Sequence, residues 1–186
     1  MRCKLVTLKT DRLVIRNFQA SDWEALYEMI TQYQASELAA YDQQWPTAPE
    51  DIRGVAEWFA SGDSYLAVTL KDTGRFIGFV SLNPEEKEGV REYNLGYIFN
   101  FDFHGKGYAS EACRAVLEHA FGTLQADGVI TGTAAVNHAS CKLLERLGFR
   151  KTAESKGSFR NDLEGKPVEF LGYTYVLSKA DWHAGG

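Results

Sequence analysis

The sequence predicts an α+β fold, a mixed and mainly antiparallel central sheet flanked by helices. Two observations carry this. Three strand-like runs follow one another between residues 65 and 99, separated only by short polar spacers, as antiparallel neighbours are. From residue 107 onward, helix-like and strand-like stretches alternate instead. Together the two modes give a mixed α+β sheet. A length of 186 residues corresponds to one domain, at roughly 150 residues each.

Leu13-Val14-Ile15-Arg16 is a short β-like run after polar Thr10-Asp11-Arg12. Ser21 and Asp22 are helix-start residues, and Trp23, Leu26, Tyr27 and Ile30 recur at helical spacing. Gln32 to Thr47 has weak periodicity and reads as a loop with room for one more helical turn. Pro49, Glu50 and Asp51 suit a first helical turn, the stripe Ile52, Val55, Ala56, Phe59 continues it, and Gly62 stops it.

Tyr65 to Leu70 and Phe76 to Leu82 flank the turn-like Lys71-Asp72-Thr73-Gly74 and form a hairpin. After the polar Asn83 to Gly89, Tyr93 to Phe99 is a third strand. Gly107 to Leu124 carries Ala109, Ala112, Val116, Leu117, Ala120 and Phe121 on one helical face. Val129 to Val136 is a strand, and Ala139 to Leu147 a helix ended by Gly148. Strands near Arg150 to Glu154 and Val168 to Leu177 close the chain.

With 45% hydrophobic and 24% charged residues, the chain has material for a core and is neither a disordered tail nor a stapled miniprotein. A net charge of −5 excludes a dedicated binder of nucleic acid or anionic membrane, which needs a basic face, and weakly favours cationic or neutral substrates. No apolar run approaches the roughly 18 residues of a membrane span, and MRCKLVTLKTDRL lacks a secretory signal's apolar stretch. Cys3, Cys113 and Cys141 form no CxxC pair and read as reduced thiols of a cytoplasmic protein. The four histidines show no HExxH pattern or ligand cluster, so no metal is expected.

The most informative segment is His104-Gly105-Lys106-Gly107-Tyr108-Ala109-Ser110-Glu111-Ala112, where a strand has ended and a long helix begins. Two glycines allow a tight fold and leave N–H groups uncovered. A helix N-terminus adds unpaired amides and partial positive charge, a site for phosphate or pyrophosphate. Lys106 adds a nearby charge. The segment is neither a GxxxxGK[ST] loop nor a GxGxxG fingerprint, and a tight strand-to-helix turn explains it equally well by itself.

The second segment is Asn137-His138-Ala139-Ser140-Cys141-Lys142-Leu143-Leu144-Glu145-Arg146-Leu147-Gly148-Phe149. Asn137 suits an N-cap and Gly148 a C-cap. Ser140 lies one turn inside the helix, and the leucines read as core.

In this order and at this distance the two segments resemble the GNAT superfamily of acyl-CoA-dependent N-acyltransferases. That family's Gln/Arg-x-x-Gly-x-Gly/Ala motif falls on His104, Gly107 and Ala109. Its later motif falls on Asn137, Ser140 and Leu147-Gly148-Phe149. The opening TDRLVIRNFQASDWEAL, the GKGYASEA wording and the closing strand before Lys179-Ala180-Asp181-Trp182 resemble the branch of RimJ/RimL-type ribosomal-protein N-terminal acetyltransferases. The resemblance spans about Leu8 to Trp182.

It implies a fold with a splayed strand pair at the cofactor cleft and transfer of acetyl from acetyl-CoA to a primary amine. The acceptor is a protein N-terminus or a small amine, attack is direct in a ternary complex, and the protein is a monomer or homodimer. Phe99, Asn100 and Phe101 would hold the pantetheine arm through backbone hydrogen bonds. Amides from Gly105 to Ser110 would hold the pyrophosphate, Asn137 would touch the pantetheine, and Lys142 is either a CoA-phosphate contact or a solvated charge. Many relatives place a Glu base at the position of Asn94, which cannot act as a base. Glu92, two residues earlier on the same strand face, is the substitute candidate, although a solvated carboxylate beside Arg91 is the blander reading.

Many relatives also place a Tyr proton donor at the position of Leu144. The RimJ/RimL branch offers Ser140 for the departing sulfur. Cys141 beside His138 raises a covalent acyl-enzyme, but a cysteine next to a leucine run is more simply core. In the weakly periodic loop, Tyr41 and Trp45 are expected to face the acceptor, with Asn94. The competing reading from another class is a non-catalytic acyl-CoA sensor, supported by the absent Glu and Tyr.

Overall fold

The computed structural model describes residues 5–184. Its strands are β1 (Thr7–Lys9), β2 (Leu13–Asn17), β3 (Tyr65–Leu70), β4 (Phe76–Glu85), β5 (Glu92–Phe99), β6 (Gly128–Ala134), β7 (Arg150–Gly157) and β8 (Phe170–Ser178). They form one sheet in the order β1-β2-β3-β4-β5-β6-β8-β7. Every neighbouring pair is antiparallel except β5–β6. The helices are α1 (Trp23–Gln34), α2 (Pro49–Ala60), α3 (Tyr108–Glu118), α4 (His138–Arg146) and α5 (Lys179–Ala184). Cys3 lies outside the described residues.

Local chemistry sets the helix ends. Gln19 and Asp22 cap each other across the short turn that leads into α1, and Asp22 also receives two 2.8 Å hydrogen bonds from Arg16. Pro49 opens α2 with Glu50 and Asp51 in its first turn, where acidic side chains favour the helix dipole. The Asn137 side chain caps α4 by accepting from the Ser140 amide, and Gly148 ends it at φ +92°.

The sheet buries both faces. One carries Leu13, Ile15, Leu66, Val68, Leu95 and Phe99 against Val116, Leu117 and Phe121, with Leu144 from α4. The other carries Ala67 and Phe79, with Phe18 just past β2, against Leu26, Met29 and Ile30 of α1 and Ile52, Ala56 and Phe59 of α2. Alternation of Leu66, Ala67 and Val68 between the faces is the period-two signature of a strand. On β4 the register slips. Val68 pairs with Gly78 and Thr69 with Phe76, so Ile77 is an extra residue and the sequence alternation is interrupted there. As a result Ile77 and Phe79 serve opposite cores.

Differences from the sequence reading sit at element ends. The three-residue edge strand β1 and the six-residue α5 are too short to show a period. The helix expected over 107–124 stops as an α-helix at Glu118 and widens into a π-type turn over His119–Thr123. The run from Val168 begins in a loop, with the Val168 amide bonded to Arg160, and β8 starts at Phe170.

A Cβ on Gly78 would lie 2.6 Å from both the Ile98 carbonyl oxygen and the Phe99 ring. Gly78→Ala is therefore expected to lower unfolding free energy by roughly 1–3 kcal/mol through overpacking. Urea unfolding checks this, and an unchanged midpoint would show that β4 and β5 separate there at no cost.

Candidate active site

The parallel pairing of β5 with β6 is brief. Glu92, Tyr93 and Asn94 pair with Gly128, Val129 and Ile130, and the ladder then ends. Beyond it, β5 stays with β4 as far as Phe99, while β6 stays with β8 as far as Ala134. A cavity of about 1690 Å³ opens in the resulting gap. Its wall includes Asn94 to Phe99 of β5, Thr131 to Ala134 of β6, the start of α3 and the first turns of α4.

At the α3 end, Gly105 and Gly107 adopt φ +72° and +80°. Both are in the left-handed region that favours glycine. A Cβ at Gly105 would meet nothing within 4 Å, so the backbone faces open space. His104, Gly105, Gly107, Tyr108, Ala109 and Ser110 all line the cavity. This is an amide-rich, glycine-built cradle on a helix N-terminus, and it suits an anion.

The cradle is tied to the opposite end of the chain. Glu111 accepts from Thr10 Oγ1 at 2.6 Å, the Arg12 amide at 3.0 Å and Arg12 Nε at 2.7 Å. Arg12 also donates to the Lys106 carbonyl at 2.9 Å and lies 4.4 Å over the Tyr108 ring. Burial alone would raise the Glu111 pKa, but hydrogen bonds from Thr10 and Arg12 hold it below its ordinary value. The sequence reading missed Arg12, which reaches the loop across ninety-four residues or more.

At the α4 end, Ser140 lines the cavity, and its hydroxyl lies 2.7 Å from the Tyr97 hydroxyl. Tyr97 was also missed. Its signal is alternation, because it shares a β5 face with buried Leu95 and Phe99, and a phenol among apolar groups needs a partner. Burial, aided by the nearby Cys113 and Cys141 thiols, raises the Tyr97 pKa, while the Ser140 contact lowers it in part. Asn137 and Lys142 line the cavity too, Lys142 as an exposed side chain. Cys141 is buried in the same core cluster as Tyr175.

Three expected site residues stand elsewhere. Glu92 is not on the cavity wall. It occupies the rung opposite Gly128, at the closed end of the gap, and faces Lys87 at 3.5 Å. Alternation placed it on the face of Asn94, but the opening lies further along the strand. Asn100 is buried outside the wall, where its side chain accepts from the Asp102 amide and donates to Glu28 at 3.0 Å. Lys106 turns back, donating to the Asp102 carbonyl at 2.8 Å and lying over Phe103. Phe99 and Phe101 line the cavity, yet the Asn100 amide is bonded to Ile77 and the Phe101 amide to Gln32. Those two amides are thus committed within the protein.

On the far side, Tyr41 and Trp45 line the cavity together with Tyr33, Asp42, Trp58 and Phe170. Tyr33 donates to Asp42 Oδ2 at 2.7 Å, and burial raises its own pKa. Arg160 of the β7–β8 loop bonds Gln34 Oε1 at 2.9 Å and the Asp42 carbonyl at 3.4 Å.

Residues 12–150 match the family model of an acetyltransferase (GNAT) domain. The chain belongs to the GNAT acetyltransferase family. It is an acetyltransferase, and the family moves acetyl groups onto amines. The GNAT chain is 27% identical to the uncharacterized N-acetyltransferase YnaD of Bacillus subtilis, over 95% of this chain and 99% of that one. In structure it resembles the ribosomal-protein-S5-alanine acetyltransferase of Vibrio fischeri, with a TM-score of 0.77 at 19% identity, covering 95% and 98%. It also resembles a spermidine N-acetyltransferase of Vibrio cholerae, with a TM-score of 0.73 at 14% identity, covering 93% and 97%. The GNAT fold generally binds acetyl-CoA, and the open glycine cradle beside the gap fits such a phosphate-bearing donor. Among the described residues no His, Cys, Asp and Glu group is arranged to hold a metal, and no helix is long and apolar enough to cross a membrane.

A lowered carboxyl pKa stabilises the fold above the ordinary carboxylate range, and the contribution fades as pH falls through the lowered value. Glu111→Gln is expected to cost roughly 1 kcal/mol at neutral pH, an amount discounted for the half-exposed Arg12. The gap to the parent should narrow on acidification toward about pH 3. Denaturant midpoints at several pH values check this; a gap that stays constant with pH would show that the clasp does not depend on the Glu111 charge.

Proposed function

We propose that the protein transfers the acetyl group of acetyl-CoA directly to a primary amine, either a protein α-amino group or a small amine. The observation that carries the reading is one continuous cavity with an anion cradle at Gly105–Ser110, a hydroxyl at Ser140 and aromatic walls at Tyr41 and Trp45. In this reading the cradle amides hold the pyrophosphate, and Asn137 and Lys142 line the donor's course. Ser140 hydrogen-bonds the sulfur as the C–S bond breaks. Cys141 is buried in the core cluster with Leu143, Leu144 and Tyr175, which favours direct attack over a cysteine-bound intermediate.

The ammonium form of the acceptor must lose a proton before attack. Glu92 is remote from the cavity wall, and Asn94 carries no titratable group. Asp42 and Glu145 are the carboxylates on the wall, and Asp42 stands beside Tyr41 and Trp45. The reading therefore gives Asp42 the tasks of attracting the ammonium group and receiving its proton, directly or through water. No observation favours a non-catalytic acyl-CoA sensor over an enzyme.

A thiol-release assay with acetyl-CoA against N-terminal peptides, polyamines and aminoglycosides tests the reading. Initial-rate lines with both substrates varied should intersect, and parallel lines with a trapped acetyl-cysteine would overturn direct transfer. Gly107→Val should weaken CoA binding at least tenfold through φ strain and a blocked approach. Calorimetry measures this, and undiminished affinity in the folded variant would remove the cradle from the donor site. Asp42→Asn should raise the acceptor KM about tenfold while the acetyl-CoA KM stays within twofold. If neither constant moves, Asp42 belongs to the wall and not to the chemistry.

A further inference from the structure

We propose that Tyr97 is a positioning residue for departure of the thiol, its phenol donating a hydrogen bond to Ser140 Oγ so that the serine's own proton is aimed at the thioester sulfur. The inference rests on the acetyl-transfer reading above. It concerns a group that the two sequence motifs do not contain, brought to the site by a different strand.

The geometry carries it. Tyr97 lies on β5 three residues past the last rung shared with β6, and Ser140 lies in the first turn of α4. Their hydroxyls meet across the gap at 2.7 Å, and both residues line the cavity. One hydrogen bond holds one proton, so the direction matters. A phenol is the stronger acid of the pair, and its ring is largely buried, so it donates and the aliphatic hydroxyl accepts. The other titratable groups that face it are the Cys113 and Cys141 thiols and the Tyr175 phenol. Thiols are weak acceptors, and the hydrogen bond of the Tyr97 hydroxyl runs to Ser140 Oγ at 2.7 Å and not to the Tyr175 phenol.

The Ser140 amide is already bonded to Asn137 Oδ1. The serine is therefore held at two points, and its hydroxyl proton is the one group left to face the cavity. A hydroxyl that accepts a hydrogen bond is polarised and donates more strongly. Leu144, one turn further along α4, is fully buried and brings no polar atom.

The step balances without a net change in the protein. The amine nitrogen forms a bond to the acetyl carbon, and the bond from that carbon to sulfur breaks. The proton shed by nitrogen ends on sulfur. Ser140 contributes a hydrogen bond to the developing thiolate and keeps its proton, so neither Ser140 nor Tyr97 needs to be regenerated.

The test is a double-mutant cycle of Tyr97→Phe and Ser140→Ala, with an alanine-initiated hexapeptide and spermidine as probe acceptors. Tyr97→Phe should lower kcat about tenfold with the acetyl-CoA KM within twofold, and the double variant should be no slower than Ser140→Ala alone. CoA calorimetry on each variant confirms that the donor site is folded. A Tyr97→Phe rate within twofold of the parent, beside a slow Ser140→Ala, overturns the inference and leaves acetyl transfer standing. Losses that multiply in the double variant, or a matching loss of CoA affinity, also overturn it, because they mark Tyr97 as packing for α4 or the donor wall. A parent that acetylates none of the peptides, polyamines and aminoglycosides defeats the acetyl-transfer reading, and the inference falls with it.

Discussion

Separation of β5 from β6 after three rungs is the constraint on which the site depends. A parallel pair that ran its full length would bring the strands to about 4.8 Å and leave no cavity between them. Here each strand keeps its other neighbour, so the gap opens without leaving either unsupported. Tyr97 and Ser140 bridge that gap with side chains in place of ladder bonds. Gly78 on β4 lets β5 pack closely where it bends away, since its missing Cβ is where the Phe99 ring sits. The opening is thus held by packing on one side and by one polar contact across the middle.

The same logic governs the cradle. A loop containing two left-handed glycines is conformationally free in the unfolded chain and costly to order. Glu111 and Arg12 offset that cost from outside the loop, one at the start of α3 and the other entering β2. Arg12 holds the Lys106 carbonyl and covers Tyr108, which ties the loop to the start of β2. The TDRL stretch, read from sequence as the lead-in to a strand and as part of a family resemblance, is therefore also part of the cradle's support.

Most of the fold was legible because helices and strands carry their periods in the residues themselves. The stripe from Ile52 to Phe59 and the alternation in β3 needed no knowledge of neighbours. The cradle and the α4 cap were legible too, since glycines and an N-cap asparagine act locally. Glu92 was placed on the correct strand and at the wrong end of the opening, because alternation gives a side chain's face and not the point where two strands part. Lys106 was placed beside the anion by position alone, whereas its chain folds back on a carbonyl and an aromatic ring. Tyr97 and Arg12 escaped notice for a common reason. Their partners lie 43 and 99 residues away, and no local pattern encodes such a meeting.

The aromatic end of the cavity is built by contacts of the same long range. Arg160 joins the β7–β8 loop to Gln34 at the end of α1 and to Asp42 beyond it, and Tyr41 meets Phe170 with ring centroids 6.0 Å apart. Two segments remote in sequence are thus fastened together over the aromatic end of the cavity. Tyr33 holds the Asp42 carboxylate, so that carboxylate stands on a braced wall and not on a free loop. Parting the two segments exchanges the Arg160 bonds for water, a modest cost on the order of 1 kcal/mol per bond.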